Sequence, residues 1–380
     1  MARAGLGQGW ACLCANDINA KKSASYAANW GGEHLKVGDV AALTTADLPG
    51  RADLAWASFP CQDLSLAGNG AGLNGSRSGT FWPFWRLMLG LVSEGRPPNA
   101  IALENVCGAI TSHEGKDFEA ICSAFAEANY AFGACVVDAA LFVPQSRPRL
   151  FLLGVRRDLA IPPDLIRDGP ALAWHPPALR SAFAKMPAKI REAWVWWSMP
   201  EPTPRKTAFC DLIEDDPIDV AWHPAATTRR ILEMMSPVNI AKVRAAQAAG
   251  RRMVGTIYRR TRCEEGRKTQ RAEVRFDEVA GCLRTPAGGS SRQAILVVEG
   301  RRIRSRLISA RETARLMGLP DSYRLPDRYN DAYLLTGDGV AVPVVRHIAE
   351  HLLEPVLASN VQSHQIAETD GEVDEVLLGW

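Results

Sequence analysis

The chain has 380 residues, a formal net charge of +2 and a hydrophobic share of 47%, enough for one large α/β domain plus a smaller one and no polycation. No apolar run approaches the roughly 18 residues of a membrane helix, and the first residues lack the basic, apolar, small-residue order of a signal peptide. Nine cysteines without a Cys-x-x-Cys pair point to reduced thiols in a cytosolic protein, so no disulfide framework and no metal site is expected.

Met1 to Asn16 reads as a short helix, a turn and a strand over Ala11–Ala15, closed by Asp17. An acidic residue at such a strand end suits ribose hydroxyls in nucleotide-binding α/β folds. Gly5-Leu6-Gly7-Gln8-Gly9 is glycine-rich but follows no strand, so it reads as a turn. Ala20–Asn29 is helical, and Val37-Gly38-Asp39-Val40 carries a second acidic turn residue. Asp53–Phe59 is a strand that stops at Pro60-Cys61-Gln62.

The next segment, Asp63 to Gly79, holds five glycines, three serines and two asparagines. It suits a lid that closes over substrate, or a plain surface loop. Ligands of open α/β sheets bind at the carboxyl ends of the strands. Cys61 there is either a nucleophile or a small core residue. Phe81–Val92 is an apolar helix with Trp82, Phe84 and Trp85 expected in the core.

Ala100–Glu104 is a buried-type strand ending in a carboxylate, which needs a partner or a proton. Helix Glu114–Asn129 and strands Tyr130–Asp138 and Leu150–Val155 follow. Arg147 and Arg149 alternate, so both face one side if the chain is extended there. Alternating strands and helices predict a parallel sheet.

From about Asp158 prolines punctuate an irregular stretch. Trp194-Val195-Trp196-Trp197 is expected to pack into a second domain, and Thr227–Ala249 to be helical. Between Arg251 and Arg306 basic residues outnumber acidic ones by more than two to one. This region holds Arg259, Arg260 and Arg284, and a glycine-rich loop with Ser290, Ser291, Arg292 and Gln293. Arginine reads guanine, glutamine reads adenine and serine reads either, while a solvated basic loop would touch phosphate only. Ser309-x-x-Glu312 starts a helix with a capping box, Gly337–Leu353 forms the last helix with its leading turn, and the tail from Ala358 is polar and acidic.

Five motifs in order resemble those of the cytosine-5 DNA methyltransferases. They are Phe59-Pro60-Cys61-Gln62, Ala102-Leu103-Glu104-Asn105-Val106, Gln145-Ser146-Arg147-Pro148-Arg149, Ser309 to Tyr323, and Gly337 to Val344. Asp338 and Gly339 depart from the last motif, which is usually Gly-Asn-Ala/Ser-Val. The resemblance implies a Rossmann-like S-adenosylmethionine-dependent sheet over residues 1–158 and 301–357, a target-recognition domain over 159–300 and a flexible tail over 358–380. The family's opening strand and cofactor loop have no counterpart in the sequence, so the sheet is expected to lack its first strand.

The resemblance further implies a nucleophile at Cys61, a proton-handling carboxylate at Glu104, and supporting guanidinium groups at Arg147 and Arg149. S-adenosylmethionine would meet Asp17, Ile18, Asp39, Val40, Phe59, Pro60, Asp338 and Val340, with Thr80 and Phe81 lining the pocket. The implied partner is double-stranded DNA, contacted by Arg259, Arg260, Arg284, Ser290, Ser291, Arg292 and Gln293. The expected protein is a monomer of bacterial or phage cytoplasm. Two alternatives stand beside it: an RNA cytosine-5 methyltransferase of the branch that shares Pro-Cys-Gln, and a non-catalytic DNA-binding remnant.

Overall fold

The computed structural model describes residues 1–59, 80–264, 267–285 and 292–360. Pro60, Cys61, the Asp63–Gly79 loop, Ser290, Ser291 and the tail beyond residue 360 lie outside the described residues.

Helix α1 (Ala2–Leu6) leads into β1 (Ala15–Asp17). Gly5 sits so close to Val345 that a Cβ there would meet its Cβ at 2.4 Å, which docks α1 on the last helices. Asn19 caps α2 (Ala20–Trp30), its side chain accepting from the amides of Lys21 and Lys22. Then β2 (Leu35–Val37) pairs with β1 in parallel, Asp17 opposite Val37.

Strand β3 (Leu54–Ser58), helix α3 (Phe81–Ser93), strand β4 (Ala100–Val106) and helix α4 (Lys116–Glu127) come next. Of the three aromatics expected in the core, Trp85 is buried and Phe84 half-buried, but Trp82 is 43% exposed, on the outer face of α3. Strands β5 (Tyr130–Asp138) and β6 (Pro148–Arg156) complete a four-stranded sheet of order β3-β4-β6-β5. Only the β3–β4 pair is parallel; β6 is antiparallel to both neighbours. The expected parallel sheet is corrected here for a simple reason. A parallel return needs a crossover of a dozen or more residues, and only a short turn over 139–147 joins β5 to β6.

The proline-rich stretch forms β7 (Ile166–Arg167), α5 (Pro177–Lys185), α6 (Ala188–Arg191) and β8 (Trp196–Trp197). Its tryptophans pack on the first sheet, not into the second unit. Val195 donates to the Phe132 carbonyl, and the Trp194 ring lies 5.6 Å from the Phe132 ring. The helical stretch expected over Thr227–Ala249 is built of two helices, α7 (Ala225–Glu233) and α8 (Pro237–Ala248). Pro237 cannot continue the preceding helix and instead opens the second.

Strands β9 (Met253–Glu264), β10 (Arg267–Arg275), β11 (Ala294–Glu299) and β12 (Arg302–Leu307) build an antiparallel sheet of order β10-β9-β11-β12. Its inner face packs Ile257, Ala272, Val274 and Leu296 against Ile231 and Val243 of α7 and α8. Strand β12 lies wholly beyond residue 300 yet pairs with β11, so the sheet extends past the boundary read from the sequence. Helix α9 (Ala310–Leu316) opens on the Ser309–Glu312 capping box. Gly337 and Asp338 end helix α10 (Tyr329–Asp338), whereas the sequence reading gave them to the start of the final helix. Helix α11 (Val342–Ile348) then runs on through a π turn over Ala349–Leu353. The main core lies between the first sheet and α11, with Phe151, Leu153, Val345 and Ile348 fully buried.

Candidate active site

Glu104 lies near the carboxyl end of β4 and is 6% exposed. A carboxylate so placed is stable only with a charged or hydrogen-bonding partner. Strand β6 supplies it: Arg149 Nε stands 3.3 Å from Glu104 Oε1, because the β4–β6 register sets Val106 opposite Arg149 and Glu104 opposite Phe151. Next to it, the Asn105 amide donates to the Phe59 carbonyl at 3.4 Å. The end of β3, and with it the point where the chain enters Pro60-Cys61, is thereby tied to the Glu104 segment.

Arg147 is 2% exposed and faces the same side as Arg149, as the alternation predicts. Its Nη1 donates to the Leu283 carbonyl at 3.0 Å and to Cys282 Sγ at 3.2 Å. Its Nη2 donates to the carbonyls of Gly337 and Gly339 at 2.8 and 2.7 Å. Burial, followed by the neighbouring Arg149, lowers its pKa. Arg147 therefore ties three segments together: the turn before β6, the 282–283 strip and the end of α10. Its own amide is held by Asp138 Oδ1 at 2.7 Å.

Two residues of this cluster have no signal in the sequence periodicity. Gln145 is fully buried, donates to the Leu316 carbonyl at 2.8 Å and accepts from the Leu283 amide at 3.0 Å. Cys282 reaches both arginines, with Arg149 Nη2 3.8 Å from its sulfur. A polar residue inside a motif that must cross a core could have flagged Gln145; nothing local flags Cys282.

The second set of carboxylates lies at the carboxyl ends of β1 and β2. Asp17 is the last residue of β1, half-buried, and Asp39 lies two residues past β2, exposed. Asp17 Oδ1 accepts from the Asn19 amide at 2.7 Å, and Asp39 Oδ1 from the Ala41 amide at 2.9 Å. Between them stand Ile18, 70% exposed, and Val37, 56% exposed. Two carboxylates flanked by bare aliphatic side chains match a ligand with hydroxyl or amino donors on a flat apolar body. Val40 packs inward against the α3 core.

The half-buried Phe59 ring packs against Phe81 at 5.7 Å, and Phe81 is itself fully buried. Asp338 is exposed and paired to Lys22 Nζ at 2.6 Å. Val340 is buried at the foot of α11.

On the antiparallel sheet, residues facing each other across β9 and β10 share a side. Arg259 lies opposite Ala272, on the side packed against α7 and α8. Arg260 lies opposite Arg271 and shares the other side with Tyr258, whose hydroxyl crowds Gly281 beside Cys282. Arg260, 56% exposed in its side chain, is ion-paired to Glu273 at 3.4 Å. Arg284 is exposed directly beyond that strip. Arg292 is half-buried with its guanidinium 5.8 Å from the Tyr329 ring. Gln293 does not fit base readout. It is 5% exposed, and its amide donates to the carbonyls of Ile257 and Ala294, so its hydrogen-bonding capacity serves the sheet.

The family described as C-5 cytosine-specific DNA methylase matches residues 2–354. Among curated relatives, the type II methyltransferase M.NlaX of Neisseria lactamica is 26% identical over 348 residues, covering 90% of this chain and 88% of its own. The type II methyltransferase M.HhaI of Haemophilus parahaemolyticus is 22% identical, covering 90% and 87%. Among solved structures, the Entamoeba histolytica methyltransferase EhMeth aligns with a TM-score of 0.58 at 13% identity, over 90% of this chain and 89% of that one, a likeness of fold. The chain belongs to the C-5 cytosine-specific DNA methylase family and is a DNA cytosine-5 methyltransferase.

Proposed function

We propose that this chain methylates a cytosine extruded from duplex DNA through a covalent adduct with Cys61. The observation that carries the reading is the buried Glu104–Arg149 pair at 3.3 Å, tied through Asn105 to the β3 end that leads into Cys61. Carbon 5 of cytosine is a weak nucleophile and becomes a strong one when a thiolate adds at carbon 6. Cys61 makes that bond. Charge then builds on the ring, and Glu104 relieves it by delivering a proton to N3. Arg149 orients Glu104, and Arg147 fixes the frame on which Arg149 stands. Once carbon 5 carries the methyl group, its proton passes to water as the Cys61 sulfur leaves as thiolate, and Glu104 takes back the N3 proton, which releases 5-methylcytosine. A base inside a duplex is out of reach of these groups, so it must leave the stack.

S-adenosylmethionine supplies the methyl group to carbon 5 when bound. The donor set at the ends of β1 and β2 fits it. Asp17 would accept from the ribose hydroxyls, Asp39 from the adenine amino group, and Ile18 and Val37 would cover the adenine faces. The β1–β2 ribbon and the β3-β4-β6-β5 sheet are, on this reading, two parts of one family sheet without the strand between them. In support, β3 is only half-buried along its length, while β4 is almost entirely buried. The β10-β9-β11-β12 sheet is the unit that meets DNA, with Arg260 and Arg284 on phosphate or base edges.

The test is Cys61→Ser, assayed with tritiated S-adenosylmethionine on duplex DNA and, in parallel, on tRNA. Methyl transfer to DNA should vanish while DNA binding survives. A variant as active as the parent would remove Cys61 from the mechanism.

A further inference from the structure

The turn Gly337-Asp338-Gly339 at the end of α10 is held from two sides. Arg147 donates to the Gly337 and Gly339 carbonyls at 2.8 and 2.7 Å. From the other side Lys22 reaches Asp338, Nζ to Oδ2 at 2.6 Å. Lys22 stands in the first turn of α2, one residue before Ser23, whose hydroxyl donates to the Asp17 carbonyl at 3.4 Å. The Lys22–Asp338 pair thus joins the β1 end to the segment that Arg147 holds.

Stability accounts for little of this pair. Its side chains are 23% and 39% exposed, and ion pairs so open to water add little to folding. Helix α2 has other ties as well. Asn29 exchanges two hydrogen bonds with the Arg324 backbone, both at 2.9 Å, and Lys21 reaches Asp331 at 2.8 Å.

Resting on the cofactor reading above, we propose that Lys22 and Asp338 form the subsite for the α-amino-acid end of S-adenosylmethionine, Lys22 meeting its carboxylate and Asp338 its ammonium group. That end carries one charge of each sign on a single carbon. A lysine paired to an aspartate presents the two complementary charges side by side. On binding, each side chain exchanges its partner for the ligand's, so no charge is left without a counter-ion.

The placement agrees with the chemistry. Asp17 takes the ribose on the reading above, and the methionine half runs from there toward the base that Glu104 and Arg149 handle. The 337–339 turn touches both sides: Asp338 through Lys22, and the flanking carbonyls through Arg147, which feels the Asp338 charge. Asparagine, the usual residue of the motif at position 338, carries no charge for an ammonium group; Asp338 does, and Lys22 balances it. The other charged groups nearby do not replace the pair. Asp17 is held by the Asn19 amide. The Met1 amino group, within charge range of Asp17 and Lys22, is buried, which lowers its pKa to about 6 and leaves it mostly uncharged at neutral pH.

The test is calorimetric titration of the full-length chain with three ligands. They are S-adenosylmethionine, its decarboxylated form, which lacks only the carboxylate, and 5′-methylthioadenosine, which lacks the whole amino-acid end. In Lys22→Met, affinity for S-adenosylmethionine should fall about tenfold, the weight of one charge-assisted hydrogen bond. The other two ligands should lose nothing. Lys22→Arg should recover most of the loss. Asp338→Asn should weaken the decarboxylated ligand about tenfold and leave 5′-methylthioadenosine at the parental value. Equal losses for all three ligands in Lys22→Met would make the pair structural, and no loss for S-adenosylmethionine would remove Lys22 from the site; either result overturns the proposal. A parent that binds all three ligands equally overturns the subsite alone. A parent that binds none of them overturns the cofactor reading and the subsite with it.

Discussion

Two carboxylates close two strands of this protein, and they live in opposite surroundings. Glu104 at the end of β4 is 6% exposed, with the Arg149 guanidinium 3.3 Å away. Asp17 at the end of β1 is half-buried, anchored by one backbone amide, with the exposed Ile18 beside it. The difference follows from sheet position. Strand β4 is central and buried, so a charge on it requires a fixed cation. Strand β1 lies in a two-stranded ribbon, where water solvates a carboxylate cheaply. The first arrangement is preorganised for a proton and a reacting ring; the second is left open for hydroxyl and amino donors.

If the contrast is sound, the largest effect comes from breaking the buried pair. Glu104→Gln keeps the shape and removes the proton-handling group. It should lower kcat by about 10²–10³-fold, the usual weight of a general acid, with DNA affinity retained in a gel-shift titration. A decrease below tenfold would mean that Glu104 only shapes the pocket.

Arg147 sharpens the same side of the comparison, because it acts on stability. Arg147→Met strips hydrogen bonds from the carbonyls of Leu283, Gly337 and Gly339. Buried acceptors left without donors cost about 1–3 kcal/mol each, so roughly 3 kcal/mol or more should be lost in denaturant unfolding. An unchanged midpoint would show that these segments are held without it.

On the open side, Asp17→Ala should act on ligand and not on fold. S-adenosylmethionine affinity should fall about tenfold, close to the 1.4 kcal/mol of one good hydrogen bond, by calorimetric titration. The thermal midpoint should stay within a degree or two, since a half-solvated carboxylate with one local amide contact contributes little. A protein that lost its thermal midpoint along with its affinity would merge the two sites into one structural network and erase the distinction.

How far the sequence reached is clear residue by residue. Strand ends and helix starts that rest on local chemistry were legible: Ser309 with Glu312 caps α9 as its spacing requires, and Arg147 and Arg149 face one side by alternation. What depends on tertiary placement was not. The antiparallel setting of β6 follows from a short turn whose length was visible but whose consequence was outweighed by the pattern of alternating elements. Gln293 lies in a basic, glycine-rich stretch that reads as surface, yet the β9–β11 pairing buries it. Cys282 gains its meaning from two arginines more than 130 positions away in the chain, which no local pattern encodes.

The smallest effect separates the two readings of the basic region. Arg260 shares the exposed Tyr258 side of β9, whereas Gln293 is spent on the carbonyls of Ile257 and Ala294. Removing one phosphate contact lowers the slope of log affinity against log salt by about one. Arg260→Ala should therefore weaken DNA binding uniformly across sequences and flatten that slope, with folding unaltered. Gln293→Ala should leave both slope and site preference alone and cost about 2 kcal/mol or more of stability, because two buried carbonyls lose their donor. Reversed outcomes, with specificity altered by Gln293→Ala and an unaffected slope in Arg260→Ala, would require the β9–β11 edge to open when DNA binds. The side of the sheet that carries recognition would then be the one packed on α7 and α8.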